Sequence, residues 1–409
     1  MKKYNLDNFD FLSPQNESKN IELGLKRIEN ALAEIKKPCK NTPAIHIIGT
    51  NGKGSITAFL ESILCMSNKS IGVTTSPHLF DICERIRVNQ KYISKEEFNN
   101  LFITLGNQLK IFELTPFEFI ICCALKFFEQ QKVDLLILEA GLGGRLDATS
   151  AHKLRPIIAI GKIGIDHSNY LGDSLEKITQ EKIAVIQKDS FVISCKQHLT
   201  VESLINEKIK EVKANMIWVD ELSENYKLGL KGRFQRENAA VAIGVIKVLN
   251  KLGWAIQKSS IEEGLAKTEW PGRLQLINWK NRKILIDSAH NPSAAEALSK
   301  EREHWINQEE GVYWILGVQK QKDICSIINK ILKPRDKILL VPVPNQQSWT
   351  LEEISKSSHL YQEIIYEFDD FKLALSYLEE LNEWPSCHPV LTGSIYLVSD
   401  FMKSYKFKI

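Results

Sequence analysis

The sequence predicts an α/β fold with mostly parallel sheets, in two domains, and three observations predict it. Short β-branched runs alternate with segments of helical apolar spacing, the pattern of repeated βα units. Several of those runs end in glycine, hydroxyl or carboxylate residues, which is where open α/β sheets carry their ligands. Trp270-Pro271-Gly272-Arg273 places proline and glycine together after a charged helix and divides the 409 residues into domains 1–269 and 274–409.

In chain order, AIHIIG (44–49) reads as the first strand, and SITAFLESILCMSN (55–68) as a helix. IGVTTS (71–76) is a second strand, followed by two helical stretches, FNNLFITLGNQLKIF and PFEFIICCALKFFEQ. VDLLILEA (133–140) and RPIIAIGKIG (155–164) are strands, SLEKITQEKIAVIQK (174–188) is helical, and DSFVISC (189–195) is extended. ENAAVAIGVIKVLNKL (237–252) is a strong helical pattern. Past the boundary the alternation resumes with KILIDSAH, SAAEALSKEREHW, VYWILGV, DKILLVPV and a closing PVLTGSIYLVSDFM.

Composition narrows the function classes. With 44% hydrophobic and 25% charged residues the chain reads as globular, and a net charge of +3 is too mild for a nucleic-acid or membrane-surface partner. The N-terminal MKKYNLDNFDFLSP has no apolar core of a secretory signal. FEFIICCALKFF (117–128), interrupted by Glu118 and Lys126, is too short to span a bilayer. The 8 cysteines are scattered without a CxxC, so reduced thiols in a cytoplasm are expected over disulfides or metal ligands.

The strand ends carry the chemistry. The first strand runs into Gly49-Thr50-Asn51-Gly52-Lys53-Gly54-Ser55. Glycines let backbone N–H groups approach an anion, a helix start points more of them at it, and Lys53 supplies charge; this is the logic of a phosphate loop. It departs from GxxxxGK[ST], because Ile47 stands at the first glycine and Gly54 displaces the hydroxyl by one. The second strand runs into Thr74-Thr75-Ser76-Pro77-His78, a turn whose hydroxyls are able to help hold a hard cation. The third ends in Glu139, an oxygen ligand for Mg²⁺ of the kind that completes a phosphate-loop site, followed by Gly141-Leu142-Gly143-Gly144-Arg145-Leu146-Asp147. Arg145 and Asp147 by themselves also read as a surface ion pair. The fourth runs into Gly164-Ile165-Asp166-His167, where His167 is a metal ligand or an acid/base, or a structural histidine. Lys182 falls mid-helix and, on its own, reads as a solvated helix face.

Taken together, GTNGKGS, TSPHL, ERIRVN (84–89), LTPFEF, EAGLGGRLDAT, IGIDH, the Glu181-Lys182 pair, WPGR, SAHNP and TGSIYLV resemble folylpolyglutamate synthase/dihydrofolate synthase, within the Mur ligase superfamily, in the family's order and over nearly the whole chain. The resemblance implies a phosphate-loop mononucleotide-binding domain followed by a smaller Rossmann-like α/β domain, with ATP at their junction and hinge closure over it. It implies an ATP-dependent amide ligase: the γ-phosphoryl group of ATP activates a pteroate or folate carboxylate as an acyl phosphate, and the amine of L-glutamate displaces phosphate. On matching positions, Asn51, Gly52, Lys53, Gly54 and Ser55 cradle the phosphates, Ser76, Glu139 and His167 hold Mg²⁺, and Lys182 is carbamylated and helps hold a second Mg²⁺. Lys53, Lys182 and His167 are the residues expected to act in catalysis. Asn238, Arg273, Asp287 and His290 contact ATP, and Arg85, Arg145 and Asp147 meet the pteroate or folate substrate.

Three departures from the family pattern stand out: Phe234 where His is common, Ser288 for the glycine of DGAHNP, and Ser150 where Asn is usual. TSPHL, ERIRVN and GGRLDATS resemble the bifunctional bacterial pattern, so dihydropteroate and reduced folates are both expected substrates. The alternatives are a folylpolyglutamate synthase only, another Mur-type ligase, or a regulatory NTPase. A cell-wall Mur ligase is disfavoured because the loop starts at residue 49, leaving no room before it for a nucleotide-sugar domain. A cytoplasmic monomer with small-molecule partners, no nucleic acid and no membrane is the expectation.

Overall fold

The structure is a computed structural model that describes residues 9–12, 21–67, 69–302, 311–357 and 363–407. Most of the N-terminal segment read for a signal, and residues 303–305 of the SAAEALSKEREHW helix, lie outside the described residues. The chain divides into two compact units, one of Met1–Gly229 with Gln235–Glu269, the other of Leu230–Phe234 with Trp270–Ile409.

The first unit carries eight strands: β1 Ala44–Ile48, β2 Ile71–Thr74, β3 Ile86–Val88, β4 Lys91–Tyr92, β5 Leu135–Glu139, β6 Ile157–Ile160, β7 Phe191–Cys195 and β8 Asn215–Val219. Their order is β4-β3-β2-β5-β1-β6-β7-β8. From β2 to β8 every pairing is parallel, and only β3 and β4 run antiparallel at one edge. β1, β5 and β6 are buried along their whole length, as expected of strands covered on both faces. β3, β4 and β8 were not legible in the sequence. The first two have three and two residues, and β8 is a half-exposed edge strand whose short apolar run, Met216–Val219, lies outside the strands assigned from the sequence.

Helix boundaries follow local chemistry. Thr115 caps the helix Pro116–Gln130 by accepting from the Glu118 N–H, while Glu118 returns to the Thr115 N–H at 2.7 Å, and Pro116 occupies the first turn. LTPFEF is therefore a capping box, and Glu118 also accepts from Arg27 Nε at 3.2 Å. Ser94 and Glu97 start Lys95–Leu109 in the same way, three residues before the FNNLFITL pattern begins. The helix around Lys182 is shorter than predicted, Leu175–Ile183.

The second unit carries β9 Gln275–Trp279, β10 Arg282–Ile286, β11 Tyr313–Leu316, β12 Lys337–Leu340, β13 Ile365–Glu367 and β14 Val390–Thr392. The order is β13-β12-β11-β14-β10-β9, parallel except for the β9–β10 hairpin. Its core is tied by one buried carboxylate. Asp336, fully buried, accepts from both terminal nitrogens of Arg302, from Val312 N at 2.8 Å, Lys333 N at 2.9 Å and Trp314 Nε1 at 3.1 Å. Asp336→Ala strands those donors and the Arg302 charge, so it is expected to lower unfolding free energy by about 3 kcal/mol. Urea denaturation measures this; a loss under about 1 kcal/mol would mean the donors find other acceptors.

Candidate functional site

The chain leaves β1 for β2 in one direction across the sheet and β5 for β6 in the other. The crevice beyond the adjacent β1 and β5 is therefore a topological switch point, the place where open α/β sheets bind ligands. Ile47 is in register with Glu139, so the Gly49–Gly52 loop and the Glu139 carboxylate leave neighbouring strands at one sheet edge. β2 and β6 flank them and bring Ser76 and the Asp166-His167 pair to that edge.

The loop is shaped for an anion. Gly52 is left-handed at φ +85° and directly precedes the helix Lys53–Cys65, whose start has no side-chain cap and no acidic residue in its first turn. A helix start of this kind points backbone N–H groups toward an anion. A Cβ on Gly52 would lie 2.3 Å from Asn238 Oδ1, which draws that asparagine onto the loop. On the other side, Thr50 and Asn51 N–H donate to Lys162 O at 2.8 and 3.0 Å, and Thr50 Oγ1 donates to Gly164 O at 2.9 Å. Gly161 permits this zipper, since a Cβ there would meet Asn51 O at 2.4 Å. Lys53 Nζ lies 3.2 Å from both Gly49 O and Thr50 O. Ser55, buried, follows Gly54 in the helix's first turn. These residues fit a nucleotide triphosphate.

For Mg²⁺ the donor chemistry also fits. Glu139 is buried at its strand end, Ser76 follows β2 with a cis peptide to Pro77, and His167 is left-handed at φ +52° with Nε2 3.9 Å from Asp166 Oδ2. Asp166, buried, holds the turn by accepting from His167 N–H at 2.8 Å. Among the described residues no three of His, Cys, Asp and Glu gather into a metal cluster. A carboxylate, a hydroxyl and an imidazole at one sheet edge are donors of the kind a hard cation takes beside water and phosphate oxygens.

Lys182 is not on a solvated face. It is buried, and Nζ donates to Gly49 O at 3.0 Å, inside the phosphate loop. Burial and then the neighbouring Lys53 charge bring its pKa down to about 7, against the pull of Asp166 and Asp147. The same four charges thus share one neighbourhood.

The proposed substrate residues divide. Arg145 is exposed and reaches Glu181 with Nη2 at 2.7 Å and Nε at 3.0 Å, so its ion-pair partner is Glu181 rather than Asp147. The Asp147 carboxylate is buried and turned inward, accepting from Leu142 N at 2.8 Å, Thr149 N at 3.0 Å and Thr149 Oγ1 at 2.5 Å. Burial pushes its pKa up, opposed by those hydrogen bonds. Arg85 is buried and donates from Nε to His78 Nδ1 at 3.0 Å.

In the second unit, Asp287 accepts from Leu274 N and Ala289 N, both at 2.8 Å; burial raises its pKa and the Arg273 charge opposes the rise. Ser288 fits its turn: its N–H and its hydroxyl both reach Gly272 O at 3.0 Å, fastening SAHNP to WPGR. His290 Nδ1 lies 2.8 Å from Ser288 O.

Sequence reasoning missed three supports. Gln235 is fully buried and accepts from Asn238 Nδ2 at 2.9 Å, an i,i+3 pair that fixes the asparagine beside Gly52. Glu61 is the one acid in its apolar helix, a visible signal, and pairs with Arg87 Nη2 at 2.8 Å. Arg87 Nη1 then donates to Thr75 Oγ1 at 3.0 Å, next to Ser76. Glu84 accepts from Leu79, Phe80 and Asp81 N–H at 2.8, 2.6 and 2.5 Å, closing the turn after Pro77.

Comparison with known proteins bears on this site. A family profile described as "Dihydrofolate synthetase, C-terminal domain" matches residues 273–404. A Saccharomyces cerevisiae protein named dihydrofolate synthetase is 30% identical, with 94% of this chain and 98% of that one covered. The structure of E. coli FolC in complex with DHPP and ADP is similar at a TM-score of 0.84 and 25% identity, covering 98% of this chain and 96% of that one. A bifunctional folylpolyglutamate synthase/dihydrofolate synthase with Mn, AMPPNP and L-glutamate bound is similar at a TM-score of 0.83 and 27% identity, with 95% of each chain covered.

Proposed function

The chain belongs to the folylpolyglutamate synthase/dihydrofolate synthase family, and from that premise we propose that it is an ATP-dependent ligase joining L-glutamate to dihydropteroate and to reduced folates through an acyl phosphate. The observation that carries the reading is Lys182, buried and 3.0 Å from Gly49 O inside the phosphate loop, a position that has no use in a solvated helix face. The relatives' bound ADP, AMPPNP, Mn, DHPP and L-glutamate support the same assignment of substrates and a divalent cation.

The residues divide the work. Asn51, Gly52, Gly54 and Ser55 wrap the phosphates with backbone and hydroxyl donors, and Lys53 offsets their charge. Glu139, Ser76 and His167 hold Mg²⁺, which neutralises charge on the transferring phosphoryl group. Asn238, Arg273, Asp287 and His290 are the proposed remaining nucleotide contacts. Arg145 and Arg85 attract the anionic acceptor, while Asp147 shapes the loop that carries Arg145. A carboxylate is a poor electrophile; taking the phosphoryl group gives it a leaving group, and the glutamate amine then forms the amide as phosphate departs. Lys182 is proposed to carry a carbamate: burial and the neighbouring Lys53 charge bring its pKa down to about 7, which favours the neutral amine that an exposed lysine rarely presents. The neutral amine would add CO₂ and release a proton, and the resulting carboxylate-like group would supply an oxygen ligand for a second Mg²⁺.

Among the described residues no helix is long and apolar enough to cross a membrane, and the proposal extends to a cytoplasmic monomer. The matching C-terminal profile and the yeast relative are both named for dihydrofolate synthesis alone, which favours dihydropteroate as the preferred acceptor. The test is product mass after incubation with ATP, Mg²⁺ and glutamate, one tube with dihydropteroate and one with tetrahydrofolate. One added glutamate in both establishes the bifunctional enzyme. A gain in one tube alone restricts it to that reaction, and ATP consumption without a gain in either overturns the reading.

A further inference from the structure

Beneath the glycine segment, four buried side chains form one unbroken chain. Arg155 Nη1 lies 3.3 Å from His46 Nδ1, His46 Nε2 lies 2.8 Å from Thr149 Oγ1, and Thr149 Oγ1 lies 2.5 Å from Asp147 Oδ1. Chemistry sets its direction. Arginine only donates, so His46 Nδ1 accepts and Nε2 carries the proton. An ionised carboxylate only accepts, so the Thr149 hydroxyl donates to Asp147 and receives the His46 proton on a lone pair. His46 and Thr149 are each 0% exposed, so the chain is shielded from bulk solvent. Burial, with Arg155 and His152 beside it, keeps His46 neutral, which the chain requires.

The two ends of this chain matter to different parts of the site. His46 belongs to β1, the strand that delivers the phosphate loop, and is paired in register with Leu138 of β5 on one side and Ile158 of β6 on the other. Asp147 closes the segment that carries Arg145, through its bonds to Leu142 N and Thr149 N. We infer that His46 is a positioning residue, which sets the Leu142–Asp147 segment in register with the phosphate loop so that Arg145 meets the anionic pteridine-bearing acceptor. This rests on the ligase reading above.

The test uses three variants of the full chain. Thr149→Val removes the hydroxyl link at constant shape, His46→Phe removes both ring nitrogens, and His46→Gln keeps a donor toward Thr149. Expected are a rise of about tenfold in acceptor KM for Thr149→Val and His46→Phe, an ATP KM within twofold of wild type, and recovery of most of the loss in His46→Gln. Amide exchange at residues 142–149 is expected to quicken in the same two variants and not in His46→Gln. Parallel changes in both KM values, unaltered exchange in Thr149→Val, or His46→Gln no better than His46→Phe overturns the inference. If His46→Phe does not fold, Thr149→Val and His46→Gln carry the test. Wild-type enzyme that adds no glutamate to either acceptor overturns the ligase reading instead, and the exchange measurement still judges the loop.

Discussion

Lys182→Ala is expected to lose about three orders of magnitude in kcat while the nucleotide still binds, and added short carboxylic acids are expected to restore part of the rate. The side chain reaches Gly49 O at 3.0 Å, so an oxygen carried on it would lie where phosphate charge develops. Alanine leaves a gap there that a small carboxylate fills. A kcat within threefold of wild type would remove Lys182 from the chemistry altogether. A full loss without rescue by acetate or formate would keep the residue and sink the carbamate.

Stability offers a second check with a definite sign. The folded pKa of about 7 lies below the ordinary 10.5, so folding disfavours the protonated form. That cost is fully present below pH 7 and fades as pH rises toward 10.5, because in this window the unfolded chain binds more protons. Lys182→Ala lacks the term. Its stability advantage over wild type is therefore expected to be largest below pH 7 and to shrink toward pH 10, read from urea midpoints at matched ionic strength. An advantage that grows with pH would contradict the burial of a protonated amine.

How much of this was legible in the sequence depended on whether a residue's partner lies close in the chain. The phosphate loop reads directly, because glycines, lysine and helix start are consecutive. Glu139 reads because a carboxylate ends a run of apolar residues. LTPFEF read as a family motif, and the structure shows its physical content, a capping box with proline in the first turn. Lys182 did not read from spacing; an i,i+4 helix surface and a helix buried against a loop over 130 residues earlier have the same local pattern. The same holds for His46 and Gly161, whose meaning comes from Thr149 and Asn51, both far away in the chain. Asp147 shows the converse. Its position beside Arg145 suggested an ion pair, yet the turn Gly143–Asp147 points the two side chains apart, one to Glu181 outside and one to Leu142 and Thr149 within. Sequence neighbours in a tight loop need not be spatial partners.

Gly52→Ala is the second large effect, expected at about a thousandfold in kcat/KM for ATP with the fold retained. Two costs combine. A non-glycine residue at φ +85° carries backbone strain of about 1–2 kcal/mol, roughly tenfold. The new methyl would also sit 2.3 Å from Asn238 Oδ1, and that side chain is not free to turn away because Gln235 holds its amide at 2.9 Å. Either the loop or the asparagine moves, and a shift of about 1 Å in a phosphate cradle costs on the order of a hundredfold. The two shares separate in a double-mutant cycle with Asn238→Ala, which clears the space without relieving the strain. In that background the added cost of Gly52→Ala should fall to about tenfold, measured on nucleotide affinity as well as turnover. A cost that stays at a thousandfold in both backgrounds would place the whole effect in the backbone. A cost near zero in wild type would mean that the loop does not need its left-handed turn, and with it the phosphate assignment of Gly49–Ser55 would fall.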